Sequence, residues 1–92
     1  MRLKITTTYP EEEFIFADGF DDCIIGLDEG SMRVVYSIGR CIDKVLSWKG
    51  IATRDEAETF FYMEVYNVSV EHNCPMFIRE YNASSYIEVY LN

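Results

Sequence analysis

An α+β fold, a small mainly antiparallel sheet with two helices on one face in a two-layer sandwich, is what this sequence predicts. Three observations lead there. Short β-rich runs lie on either side of a central stretch with helical apolar spacing. A four-residue turn joins two of those runs. The 92 residues leave room for one domain, 1–92, in which the helices must cover the sheet.

Taken in order, residues 2–9 place Leu3 and Ile5 on one side and Lys4, Thr6 and Thr8 on the other. With the high β-branched content this predicts a half-buried strand ended by Pro10. Asp18-Gly19 signals a turn, after which Phe20 tucks back into the core. Cys23–Leu27 and Met32–Tyr36 flank Asp28-Glu29-Gly30-Ser31 and read as a hairpin, with Gly26 marking a bulge or a close approach.

Ser37 caps the helix that follows. Ile38, Cys41, Ile42, Val45 and Leu46 share its apolar face, and Gly50 stands where a left-handed C-cap would. Thr53-Arg54-Asp55-Glu56 is a capping box opening a second helix. Its buried stripe is Ala57, Phe60, Phe61, Val65 and Val68. Tyr62 and Tyr66, four apart, form a second apolar flank and a candidate homodimer contact. Met76-Phe77-Ile78 reads as a short strand. Ile87, Val89 and Leu91 alternate with Tyr86, Glu88 and Tyr90 in another, with Lys4 and Glu88 as cross-strand candidates.

Composition narrows the function. About half the residues are apolar and 15% aromatic, which is globular rather than disordered. No eighteen-residue apolar run exists to span a membrane, and Met1–Thr6 lacks the apolar core of a signal peptide. Cys23, Cys41 and Cys74 are odd in number and widely spaced, so a disulfide framework is not expected and the cytoplasm is the expected location.

Charge is the most informative quantity. The formal net charge is −8, from sixteen acids and eight bases. Glu11, Glu12, Glu13, Asp18, Asp21, Asp22, Asp28 and Glu29 crowd one stretch, and no Lys or Arg occurs from Ile5 through Met32. The remaining acids and bases balance, so the whole net charge belongs to that stretch. Direct nucleic-acid binding and anionic membranes call for the opposite sign. A solubilising face is the plain reading of such a run. The functional reading is a docking surface for a basic protein, formed by Glu11, Glu12, Glu13, Asp18, Asp21 and Asp22 with Phe14, Phe16 and Phe20 interleaved. In that reading the rings anchor and the carboxylates steer.

Catalytic and metal signatures are weak. One histidine, His72, rules out two-histidine sites, and no phosphate loop, nucleophile elbow or dinucleotide fingerprint occurs. His72 with the three cysteines lacks the paired spacing of structural zinc. Asp18–Asp22 lacks the alternating ligands of a calcium loop. Cys74 beside His72 has no third group to orient it. The expectation is therefore a non-enzyme with no cofactor and no metal.

Ala17–Gly26, Val34–Ser37 with Cys41 and Ile42, Asp55-Glu56-Ala57, Phe60-Phe61 and Asn67 together resemble a small uncharacterised family of phage and bacterial proteins. The likeness covers about residues 17–78. After the second helix that family has an Ala-Tyr-x-Gly-Glu-Lys/Gln-Thr-Pro-type segment, of which Val70–Pro75 keeps only the proline. The resemblance implies a phage or mobile-element accessory protein in a host cytoplasm and brings no activity with it. The alternative expectation is a nucleic-acid mimic whose carboxylates occupy the basic channel of a host nuclease, restriction enzyme or repressor.

Overall fold

In the computed structural model, residues 1–66 and 74–80 are described. Among the described residues, three helices and a three-stranded mixed sheet make the chain α+β, as expected: α1 (Arg2–Thr8), β1 (Ile24–Asp28), β2 (Arg33–Ser37), α2 (Ile38–Leu46), α3 (Arg54–Phe60) and β3 (Met76–Ile78). A 3₁₀ turn at Asp21–Cys23 precedes β1, and α3 widens into a π-helical turn over Phe61–Val65. No described helix is long and apolar enough to cross a membrane.

The predicted hairpin is present. β1 and β2 pair antiparallel, Leu27 with Val34 and Asp28 with Arg33. Asp28 closes the turn, its Oδ1 accepting from the Gly30 N–H at 3.3 Å and its Oδ2 from the Ser31 hydroxyl at 2.7 Å. The register shifts between Ile24 and Gly26, which is the irregularity the strand glycine signals. β2 is central, with Val34 and Tyr36 fully buried.

β3 pairs parallel to β2, with Tyr36 opposite Phe77. A parallel neighbour needs a long crossover, and α2 and α3 lie within it. Ser37 caps α2 by accepting from the Arg40 N–H at 3.3 Å, and Thr53 caps α3 by accepting from the Glu56 N–H at 3.2 Å. Cys41, Ile42 and Val45 of α2 are buried with Ala57 and Phe61. Phe77 joins them through Phe61, with ring centroids 5.4 Å apart.

Two expectations are corrected. Residues 2–9 are a helix rather than a strand. Only Ile5 of α1 is buried, while Leu3, paired with it by the alternation, is 78% exposed. The threonines do not oppose the helix, because the Thr6 and Thr8 hydroxyls donate back to carbonyls three and four residues earlier. Gly50 does not cap α2, which ends at Leu46 with Ser47 as its cap; Gly50 instead takes its positive φ of 95° in the connection to α3. The expected strand at 86–91, its Lys4–Glu88 pairing, and the roles weighed for Val68 and His72 lie outside the described residues. Lys4 itself sits on α1.

Candidate interaction face

The segment from Tyr9 to Phe20 leaves α1 and runs without regular structure to the turn before β1. Two attachments fix its end. The Ala17 N–H donates to the Tyr36 hydroxyl at 2.7 Å, and Phe20, 3% exposed, packs on Trp48 with ring centroids 5.5 Å apart. Burial pushes the Tyr36 phenol up to about 12, against the Ala17 hydrogen bond, which favours the ionised form. Tyr9, Phe14 and Phe16 form an aromatic row, with centroid separations of 6.5 Å and 6.2 Å. Arg2 lies over Phe16, 4.2 Å from the ring centroid.

The acidic run divides into two parts. Asp21 meets Arg2 at 3.3 Å and Asp22 meets Lys44 at 2.9 Å. The hydrogen bond from Lys44 lowers the Asp22 carboxyl below its ordinary value, and the same contact raises Lys44. Asp28 is taken up by its turn, and interaction with Glu29 raises the Tyr9 phenol. Glu11, Glu12, Glu13 and Asp18 are exposed and make no ion pair with any described residue. The negative surface without internal partners is therefore the earlier half of the run.

A cavity of about 250 Å³ opens beside Asp18. Phe16, Phe20, Val65 and Phe77 line it together with the acidic residues Asp18 and Glu64. Enclosed small-molecule pockets are usually larger, roughly 300–1,000 Å³. This one is smaller, the size of a side chain rather than of a cofactor, and two acidic residues are among its lining.

Of the nine residues expected to meet a partner, Phe16, Asp18 and Phe20 line this cavity. Phe20 does so as a buried wall, so it presents no protruding anchor. Glu11, Glu12, Glu13 and the half-buried Phe14 occupy the approach along the chain. Asp21 and Asp22 turn to Arg2 and Lys44. On the tyrosine flank, the Tyr62 hydroxyl accepts from Arg79 at 3.2 Å and Tyr66 is 44% exposed; their rings lie 5.4 Å apart. Sequence reasoning missed Ile15, Glu64 and Val65. Ile15 carried a visible signal, since it stands between two phenylalanines in an apolar run. Glu64 carried none, being one acid in an aromatic helix.

Cys23 and Cys41 are free, buried thiols, both raised chiefly by burial, and they act as small core side chains. Cys74 borders β3, where Arg33 donates to its carbonyl at 2.8 Å and to the Pro75 carbonyl at 3.3 Å. No protein-family model, curated protein or solved structure matches this chain.

Proposed function

We propose that the chain is a non-enzymatic protein-interaction module whose partner is basic. The docking face runs from Glu11 through Asp18 to the cavity walled by Phe16 and Phe20. The observation that carries this reading is the division of the acidic run. Carboxylates with a structural task are partnered, while Glu11, Glu12, Glu13 and Asp18 stay exposed and without described ion-pair partners beside an apolar cavity. An apolar side chain flanked by lysine or arginine fits both features. The family resemblance suggests the setting, an accessory role in the cytoplasm of a bacterial host.

The test is affinity capture from a bacterial lysate, comparing wild type with a variant carrying Glu11→Gln, Glu12→Gln, Glu13→Gln and Asp18→Asn. The captured partner should be basic and should be lost from the variant. Identical capture by both proteins refutes the reading. Mimicry of nucleic acid is less supported, because Asp21 and Asp22 spend their charge on Arg2 and Lys44. It would require a captured nucleic-acid-binding protein that DNA displaces and that is released steeply by salt.

A further inference from the structure

A second surface borders the first. Ile51, Phe60 and Met63, together with Asp55, Glu56 and Glu64, line an open groove of about 470 Å³. Glu64 also lines the cavity beside Asp18, so the two surfaces are contiguous. We propose that this groove seats a basic amphipathic helix of the partner protein, a proposal that rests on the preceding reading for the existence of a basic partner.

Three observations support that occupant. Met63 is 64% exposed although it sits amid apolar neighbours, so the groove offers a flexible thioether to an incoming side chain. The lining residues recur at 55/56 and 59/60 of α3 and at 63/64 of the π-helical turn that continues it, a strip along the helix about 13 Å long. That length accepts two to three turns of a helix packed alongside, with apolar side chains between the ridges. The sign of the charge is uniform: among the described residues three acids and no lysine or arginine line the groove. Arg54, at the start of α3, is turned to Asp43 at 2.7 Å and Glu58 at 3.6 Å. A helix with leucine-like anchors and flanking lysines therefore meets apolar and acidic lining together, whereas an acidic or neutral helix meets only the apolar part.

The probe is a synthetic helical peptide of about fifteen residues, with leucines at every third or fourth position and lysines beside them. A second peptide replaces each lysine by glutamate. Binding to the full chain is followed by the Met63 methyl resonance and by the fluorescence of Trp48, whose ring stands edge-on to Phe60 at 5.5 Å. The lysine peptide should shift the Met63 methyl saturably. Asp55→Asn with Glu56→Gln, at residues that line the groove and not the cavity beside Asp18, should weaken it about five- to tenfold, and glutamine still accepts from the Thr53 hydroxyl. Met63→Ala, at a side chain the core does not use, should weaken it about tenfold. The glutamate peptide should fail to bind.

Four results overturn the proposal. They are no binding of the lysine peptide at millimolar concentration, equal binding of both peptides, affinity unchanged in the groove variants, and a Met63 shift that follows protein concentration without peptide. The last would identify a second copy as the occupant. Loss of peptide binding in Glu11→Gln, Glu12→Gln, Glu13→Gln with the groove variants unaffected would place the peptide on the neighbouring acidic face. That outcome overturns the groove and leaves the preceding reading standing.

Discussion

Replacing Tyr36 with phenylalanine removes one oxygen from the centre of the molecule, and its effect can be worked from the contact it breaks. The Tyr36 side chain is fully buried and its hydroxyl accepts from the Ala17 N–H at 2.7 Å. A hydrogen bond of this type contributes about 1 kcal/mol net, and a donor left unpartnered away from water costs about 1–3 kcal/mol. The Ala17 N–H is only half-buried, so the lower part of that range applies and the variant should lose about 1.5–2 kcal/mol. For a domain of this size that lowers Tm by roughly 6–15 °C.

The alkaline limb supplies an independent check. The folded phenol titrates at about 12, against an ordinary value of 10.0. Because the folded value is raised, the contribution is whole below pH 10 and disappears as pH climbs toward 12. The loss is on the order of 2–3 kcal/mol across that window. Phenylalanine has nothing to titrate. Urea unfolding at successive pH values should therefore show the two proteins well separated at neutral pH and converging above pH 10. The raised Cys23 and Cys41 thiols erode stability above pH 9 in both proteins alike. Equal stability at pH 7 would show that the Ala17 tether does not hold the segment, and curves that stay parallel through pH 12 would show that the Tyr36 phenol is not shielded from water in the folded state.

Phe20→Ala removes a 3%-exposed ring from the face of Trp48 and should cost about 3–4 kcal/mol in urea unfolding; a loss below about 1 kcal/mol would mean that the ring is not part of the core. Asp22→Asn should flatten the acid limb. The lowered Asp22 carboxyl stabilises the fold above its unfolded value, and that contribution is lost as pH falls through the lower folded value, so acid unfolding of the two proteins should differ in slope below about pH 4. Gly50→Ala places a side chain at a φ of 95° where no atom crowds it, so backbone strain alone should cost about 1–2 kcal/mol, measured by thermal melting.

Which elements were legible in the sequence follows from the range of the forces that make them. The hairpin, the Ser37 cap and the Thr53 cap are settled by residues within a few positions of one another, and all three are present, although Glu56 accepts from the Thr53 hydroxyl rather than from the backbone N–H that a full capping box requires. The error at residues 2–9 has the same origin. Two apolar residues in alternation are too few to fix a period, and a threonine-rich helix is acceptable once its hydroxyls bond to the preceding turn. The parallel direction of β3 was not legible from Met76-Phe77-Ile78, because three apolar residues carry no direction. It follows from the crossover that the two helices occupy.

The candidate site shows the same division at longer range. The excess of acids between Glu11 and Glu29 could be counted, but its neutralisation depends on Arg2 and Lys44, which lie 19 and 22 positions away from the carboxylates they meet. Those two bases change where charge remains for a partner. Arg2 stacks on Phe16 while it holds Asp21, so one guanidinium both quiets the later acids and steadies a wall of the cavity. Lys44 does the same for Asp22 from the polar side of α2. The unpartnered charge thus moves toward Glu11–Asp18, and Glu64 joins it from α3 with no motif to announce it. Under the proposed function, a basic partner would meet acidic residues from two remote parts of the chain around one apolar opening. That convergence, rather than the number of acids, is what would distinguish a binding face from a surface that only keeps the protein dissolved.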